Sequence, residues 1–312
     1  MNNENLRPKS LKNFLGQDVI KKQLSVLLAS CFKTGKPLDH ILLTGQAGLG
    51  KTSLAQVIAH EMGVEIRILN GANLQKKQDV LSLVPTLREK TILFIDEIHR
   101  MSPVIEEILY PIMEDFRLDL ILGQGKRTKV VPIYLEKFTV IGATTKPGFL
   151  SKPLRDRFGS HFLFTTYSLD EMNTLIEHNL QKLSLTIDQQ SFSEISQRAR
   201  RTPRILNHLL KRLKDYAISE EKVYLSAQDV LIVFDLLGID ANGLNRMDKQ
   251  ILSLLKYFYK KNPVGIETIA ASLGENKRTL EDIYEPYLLS EGFLIRTSRG
   301  RLITEKGEMC CD

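Results

Sequence analysis

The feature that most constrains this chain is the run Gly45-Gln-Ala-Gly-Leu-Gly-Lys-Thr52. An apolar stretch, "HILLT", leads into it, and a helical pattern, "KTSLAQVIAHEMG", leads out. The run matches G-x-x-x-x-G-K-[ST] in the strand–loop–helix frame that gives this motif its meaning. Glycine lets the backbone curl so that successive N–H groups face an anion. The start of the following helix adds positive potential at the same point. Gly45 and Gly50 are therefore expected to wrap a phosphate. Lys51 is expected to neutralise the β- and γ-phosphates of a nucleotide, and Thr52 to offer its hydroxyl to Mg²⁺. The competing reading, a glycine-rich turn arising by chance, does not account for the strand and helix on either side.

Further short apolar runs alternate with helical patterns. "VEIRIL", "TILFIDEIH" and "FTVIGATT" read as strands, and "PVIEEILYPIMEDF" as a helix between two of them. That alternation predicts a three-layer α/β domain with a mostly parallel sheet. One insertion breaks the pattern. "LDLILGQGKRTKVVPIYLEKF", within residues 117–138, reads as a β-hairpin with a basic tip. From about residue 170 the strand signals give way to helices, with Ser168 and Ser226 as candidate caps. A third unit of short helices and a β-ribbon closes the chain. The expected domains are residues 1–167, 168–238 and 239–312.

Acids end the second buried strand. Asp96 stands at its C-terminal end, where ligands bind in such sheets, and suits a Mg²⁺ shell. Glu97 follows and suits polarising a water toward a γ-phosphate. Packing does not explain two adjacent buried acids, because an unpaired buried charge is costly. Thr144 and Thr145 end the next strand and would lie beside Glu97, although threonine is also simply common in strands. Arg204 opens the helix "RTPRILNHLLKRLKDYA", where the macrodipole slightly disfavours a cation, so a phosphate reaching in would explain its placement. "KPLRDRFG", residues 152–159, holds Arg155 and Arg157 on either side of Asp156.

Near the C-terminus, "IETIAASLG" and "NKRTLEDIYEPYLL" read as a helix–turn–helix with Gly274 at the corner. "GFLIRTSRGRLIT" then reads as a two-stranded wing. Arg296, Arg299 and Arg301 crowd its tip, which suits backbone phosphates or a minor groove. No aromatic residue interleaves them, so stacking on single strands is not suggested. Net charge is 43 − 37 = +6, mildly basic and compatible with nucleic acid. The three cysteines, Cys31, Cys310 and Cys311, lack ligand spacing, which points away from a metal site or disulfide framework and toward the cytoplasm. No secretory signal is expected, and no apolar run approaches the ~20 residues of a membrane span.

Taken in order, the P-loop, the Asp-Glu strand, the Thr-ended strand, "PLRDRFG" and the "TPR" helix resemble the AAA+ ATPases. More narrowly, they resemble the RuvB family of Holliday-junction branch-migration motors, through "LRPKSLKNFLGQ", "DHILLTGQAGLGKTSLA", "LFIDEIHRMSPVIEEILYP", "GATTKPGFLSKPLRDRFG" and "PVGIETIAASLGENKRTLEDIYEPYLLSEGFLIRTSRGR". The resemblance implies an α/β P-loop AAA+ core with a parallel sheet, a small helical lid domain and a C-terminal winged-helix domain. It implies ATP and Mg²⁺ as ligands and an ATP-driven ring motor acting in recombination and DNA repair. Leu6 and Arg7 would lie near the adenine, with Gly48 and Ser53 around the phosphates. Asp96 and Glu97 would be the Walker B pair, Thr145 sensor 1, Arg204 sensor 2 and Tyr167 a further nucleotide contact. Asp115, Phe116 and Arg117 would also touch nucleotide. Arg157 would be the arginine finger, with Arg155 as the alternative. An arginine at the domain's edge is better placed for a neighbouring subunit's nucleotide than for its own, which implies an oligomer, in this family a hexamer. The hairpin would meet a RuvA-type junction-binding protein, and a RuvC-type resolvase is a further implied partner. Gln46, Ala47 and Lys146 depart from the usual pattern, where two prolines and an arginine stand. Clamp-loader, replication-initiator and ATP-liganded regulator readings share parts of this pattern; the intact Glu97 argues against the last.

Overall fold

The computed structural model describes residues 6–122, 129–259 and 262–311. The chain forms two compact units, Met1–Leu175 with Thr202–Arg204, and Ile176–Arg201 with Ile205–Asp312. The lid and winged-helix segments, separate in the sequence reading, thus fall in one unit.

The first unit begins with α1 (Asp18–Thr34), β1 (Ile41–Thr44), α2 (Lys51–Met62), β2 (Ile66–Asn70), α3 (Lys77–Leu83), β3 (Ile92–Asp96) and α4 (Pro103–Asp115). A hairpin of β4 (Arg117–Leu122) and β5 (Lys129–Tyr134) follows, then β6 (Thr139–Thr144), α5 (Lys152–Asp156) and β7 (Ser160–Leu163). Five strands pair in parallel in the order β2-β3-β6-β1-β7. The three central strands are the short apolar runs of the sequence. Ile41, Leu42 and Leu43, Ile92 to Ile95, and Val140 and Ile141 are all buried, as expected where helices cover both faces of a parallel sheet. The edge strand β7 lacked a sequence signal because only Phe162 of its four residues is buried.

The P-loop leaves β1 at its C-terminal end. At the opposite end, His40 stitches the sheet to α4. Its Nδ1 accepts from Val140 N at 2.9 Å, so Nε2 carries the proton and donates to Met113 O at 3.0 Å. Burial holds His40 below the ordinary histidine range, so it is a neutral structural bridge. The hairpin β4–β5 is a separate antiparallel ribbon six residues long on each side. Its expected basic tip, residues 123–128, lies outside the described residues.

Helix α6 (Leu169–Leu183) begins in the first unit and ends in the second, which goes on through β8 (Thr186–Ile187), α7 (Ser191–Arg198), most of α8 (Pro203–Ser219), β9 (Tyr224–Leu225) and α9 (Ala227–Leu236). Ser168 and Ser226 both cap as expected: their hydroxyls accept from Glu171 N and Asp229 N. Next come α10 (Arg246–Ser253), continued by a π-turn at Leu254–Phe258, and α11 (Ile266–Leu273). Residues 277–290 form one rod of α12 (Lys277–Thr279), a π-turn and α13 (Glu285–Ser290). The wing is β10 (Leu294–Thr297) against β11 (Gly300–Ile303), closed by α14 (Glu305–Met309). Leu252, Leu255, Ile269, Leu280, Leu288, Phe293 and Leu294 make its core.

Candidate functional site: a nucleotide cradle and a basic wing

Gly45, Gly48 and Gly50 all adopt positive φ, at 139°, 83° and 105°. At Gly48 no other residue fits. A Cβ there would lie 2.7 Å from Thr202 Cγ2 and 2.9 Å from Arg204 Cβ. The loop therefore curls as its composition predicts, and the turn that carries Arg204 closes over it. Arg204 N also donates to Gly48 O at 3.3 Å.

Lys51 opens α2 and is buried, with Nζ donating to Gly45 O at 2.7 Å and Gln46 O at 2.8 Å. Burial lowers its pKa; Glu97 and Asp96 pull the other way, and Arg204 adds to the lowering. Thr52 Oγ1 stands 3.5 Å from Asp96 Oδ2. Burial, then the neighbouring Glu97, raises Asp96. A carboxyl raised by burial and by a second carboxylate beside it favours a cation between it and a phosphate. A threonine hydroxyl and a carboxylate are the oxygen donors that Mg²⁺ prefers. On these grounds the residues present fit a magnesium nucleotide. Ser53 follows in the first turn of α2, half-buried.

Glu97 sits at φ 49°, a left-handed conformation unusual for a glutamate. Such strain persists only where surroundings enforce it. Here Thr145 donates to Glu97 Oε2 twice, from N at 3.3 Å and from Oγ1 at 3.1 Å. His99 Nδ1 lies 3.2 Å from the same oxygen and 2.8 Å from Thr144 Oγ1. The strand order β3-β6 brings Thr145 beside Glu97, as the sequence suggested. His99 was missed; the only signal was its position three residues after Asp96.

At the cradle's other side, Tyr167 is buried and its hydroxyl faces Leu15 O at 3.1 Å and Leu49 O at 3.5 Å. Burial raises its pKa strongly. Leu6 is buried, and Arg7 reaches Gln56 Oε1 at 3.1 Å on α2. Phe14, against Gly50, and Gln17, which exchanges hydrogen bonds with the Thr165 backbone, complete this wall. Neither had a sequence signature.

Two groups of expected site residues lie away from this cradle. Phe116 stacks within 6.1 Å of His40 and 5.9 Å of Phe138, the residues just before β1 and β6. Arg117 pairs with Asp119. Asp115, Phe116 and Arg117 therefore lie at the N-terminal ends of the strands, opposite the chain's own P-loop. Arg157 lies at that end too, three residues before β7, whose Ser160 pairs with Ile41. It caps the C-terminal end of α5. Its guanidinium bonds Glu114 at 2.9 Å and Pro153 O at 2.7 Å and stacks on Tyr110 at 4.4 Å. Arg155 stands half-buried on α5.

The wing arginines also differ from one another. Arg296 and Arg301 are directly opposite across β10 and β11. Both reach Glu285 on α13: Arg296 Nη2 at 2.7 Å, Arg301 Nε at 2.5 Å and Nη2 at 3.1 Å. Arg301, read as a tip residue, is mostly buried in the second strand. Arg299 is exposed at the turn. The wing thus presents Arg299 outward and Arg296 partly, while Arg301 behind them is paired with Glu285 and lies 3.5 Å from Glu281.

Comparison with known proteins agrees along the chain. Family models match for the Holliday junction DNA helicase RuvB P-loop domain over residues 6–163, the RuvB AAA lid domain over 167–240 and the RuvB C-terminal winged helix domain over 241–310. The chain is 45% identical over 303 residues to the Holliday junction branch migration complex subunit RuvB of Fusobacterium nucleatum subsp. nucleatum, covering 97% of this chain and 91% of that one. It superposes on the Thermotoga maritima RuvB Holliday junction branch migration motor with a TM-score of 0.88 and 40% identity, over 98% of each chain. A mutant of the Thermotoga protein matches at a TM-score of 0.90 and 40% identity, covering 98% of this chain and 97% of that one.

Proposed function

From the premise that the chain belongs to the RuvB family, we propose how its parts divide the work. The protein is an ATP-driven motor of Holliday junction branch migration, and its P-loop domain is the ATPase. Lys51 and the P-loop N–H groups hold the phosphates, while Thr52 and Asp96 hold Mg²⁺. The metal, when bound, neutralises charge developing on the β- and γ-phosphate oxygens. Glu97 takes the proton of the attacking water, and Thr145 keeps its carboxylate aimed. Arg204 senses the γ-phosphate beside Gly48. Leu6, Arg7 and Tyr167 form the base-side wall.

The observation that carries the catalytic assignment is Glu97, strained at φ 49° and held by two donors from Thr145. A site that only bound nucleotide would not need a water-activating acid held in this way. Clamp-loader and regulator readings are not favoured, since lid and winged helix both match RuvB models.

The placement of Arg157 and residues 115–117 at the end of the sheet opposite the P-loop supports their serving a neighbour's nucleotide in a ring, which in this family is a hexamer. Glu114 and Tyr110 then hold Arg157 ready for that neighbour. Duplex DNA meets the wing through Arg299 and Arg296, with Arg301 behind them. Strand β5 of the hairpin exposes Val130 and Tyr134 on one face and Val131 on the other, apolar positions suited to a RuvA-type partner; a RuvC-type resolvase is a further partner of the assembly. No helix among the described residues is long and apolar enough to cross a membrane, and cytoplasmic residence accords with action on DNA. The test is ATP-dependent migration of a synthetic four-way junction, with and without a RuvA-type protein, for wild type and Glu97→Gln. Wild type should migrate the junction, and Glu97→Gln should bind ATP without turnover. A wild type that binds ATP but neither hydrolyses it nor moves a junction would sink the reading.

A further inference from the structure

We propose that Arg200 is a positioning residue that couples ATP turnover to DNA movement, by fastening the turn that leads to Arg204 onto the winged-helix segment. The inference rests on the motor reading above and concerns a residue which that reading leaves without a role.

Arg200 lies two residues past the end of α7 and makes three contacts with residues about 40 to 90 positions further along. Nε donates to Gly243 O at 3.0 Å. Nη2 pairs with Asp248 Oδ2, whose side chain is fully buried. The guanidinium plane lies 4.1 Å over the Tyr287 ring. These partners are themselves fixed. Tyr287 Oη donates to Asn242 O at 2.6 Å. Gly243, at φ 71°, approaches α7 so closely that a Cβ would come within 3.3 Å of Arg198 Cα and Gln197 O. Asp248 Oδ2 also accepts from Asn245 N at 2.9 Å, closing the first turn of α10. One carboxylate oxygen therefore serves both Arg200 and the start of the first winged-helix helix, while Tyr287 belongs to α13, the rod that carries Glu285 and so the wing. The other oxygen, Oδ1, is buried without a partner, so Asp248 depends on Arg200 for its compensation.

The turn between this clamp and Arg204 is strained. Arg200 and Arg201 are consecutive non-glycine residues at φ 52° and 51°. Two left-handed residues in a row persist only when both flanks are held. One flank is the Arg200 clamp. The other is Thr202–Arg204, packed on Gly48 of the P-loop. Along the chain, only Arg201 stands between Arg200 and the Thr202–Arg204 turn. A shift of Thr202–Arg204 when phosphate leaves would thus pass along the chain to Arg200, and through its clamp to α10 and α13. Without the clamp, the same shift would be absorbed by the turn.

The experiment uses the full chain, a synthetic four-way junction and a RuvA-type junction-binding protein. It reads base pairs migrated per ATP hydrolysed, alongside DNA-free ATP turnover, duplex affinity and thermal midpoint. Arg200→Lys keeps the charge but loses the planar fork and the stacking face. Tyr287→Leu removes the ring, and Tyr287→Phe keeps it. Arg200→Lys and Tyr287→Leu should hold DNA-free turnover and duplex affinity within about twofold of wild type, yet lower migration per ATP by about tenfold, inside the usual range of coupling factors. Tyr287→Phe should keep most of the wild-type ratio. An unchanged ratio in Arg200→Lys overturns the inference, as does a loss of migration that merely follows lost turnover or a lowered thermal midpoint. If Arg200→Lys does not fold, equal ratios in Tyr287→Leu and Tyr287→Phe overturn it, and a loss confined to Tyr287→Leu supports it. A wild type that migrates no junction overturns the motor reading, and this inference with it.

Discussion

Replacing Arg301 by methionine tests how the wing is held. Methionine keeps an apolar stem of similar reach and removes the guanidinium. Glu285, whose side chain is 4% exposed, then loses two of its three hydrogen bonds, at 2.5 Å and 3.1 Å. Stripping one partner from a buried ion pair costs about 3–5 kcal/mol, because the other charge stays buried. Arg296 remains at 2.7 Å but is 56% exposed, so its continuing bond offsets about 0–1 kcal/mol, the worth of a surface pair. The expected cost is about 2–5 kcal/mol. With a urea slope of ~2 kcal/mol/M, the midpoint followed by circular dichroism should fall by about 1–2.5 M. Arg301→Met combined with Glu285→Leu leaves no buried charge and should return to within about 1 kcal/mol of wild type.

The same pair has a pH signature. Burial alone would raise Glu285, but the bonds from Arg301 and then Arg296 outweigh it and hold the carboxyl below its ordinary range. Its folded pKa is thus lower than its unfolded one. The stabilisation is present above the unfolded pKa, about 4.3, and is lost as pH falls through the folded value. The gap between wild type and Arg301→Met should therefore narrow in acid. A single variant costing under about 0.5 kcal/mol, or a double variant weaker than the single, would refute the reasoning.

Four further outcomes are expected. Thr145→Val removes the hydroxyl bond to Glu97 but keeps the backbone one; a bond to a charged acceptor is worth about 1.5–3 kcal/mol, so kcat for ATP should drop about ten- to a hundredfold with KM little changed, and an unaltered kcat would exclude Thr145 from aiming Glu97. Gly48→Ala forces a side chain into φ 83° and against Thr202 and Arg204; the backbone cost alone is about 1–2 kcal/mol, and ATP affinity by calorimetry should weaken by about tenfold or more. His40 is depressed by burial, so the unfolded state takes the proton first and stability should fall as pH drops below about 6.5; His40→Gln should flatten that part of the urea-stability profile, and a slope equal to wild type would count against the neutral bridge. Arg157→Ala should bind ATP but lose about 10³–10⁵ in turnover, and mixing it with Lys51→Ala subunits should restore some activity if the arginine acts across subunits; full activity of Arg157→Ala alone would leave Arg157 with only its contacts to Glu114, Pro153 and Tyr110.

Sequence alone determined the strand–loop–helix frame around Lys51, the parallel sheet, the acids at the end of β3 and the helix–ribbon order of the winged end. These are local matters. Period, glycine placement and strand-end chemistry act over a few residues, so a short stretch of chain carries them. It also placed Thr145 beside Glu97, because adjacent parallel strands end together. Tertiary structure decided what each arginine does. Arg301 faces Glu285 sixteen positions away, Arg157 faces Glu114, and Arg200 faces Asp248 forty-eight positions on. A charge in a sequence looks the same whether it will meet solvent, a phosphate or a buried carboxylate. Only packing brings the partner within 3 Å and removes the water between them, and that desolvation separates the exposed Arg299 from the clamped Arg200.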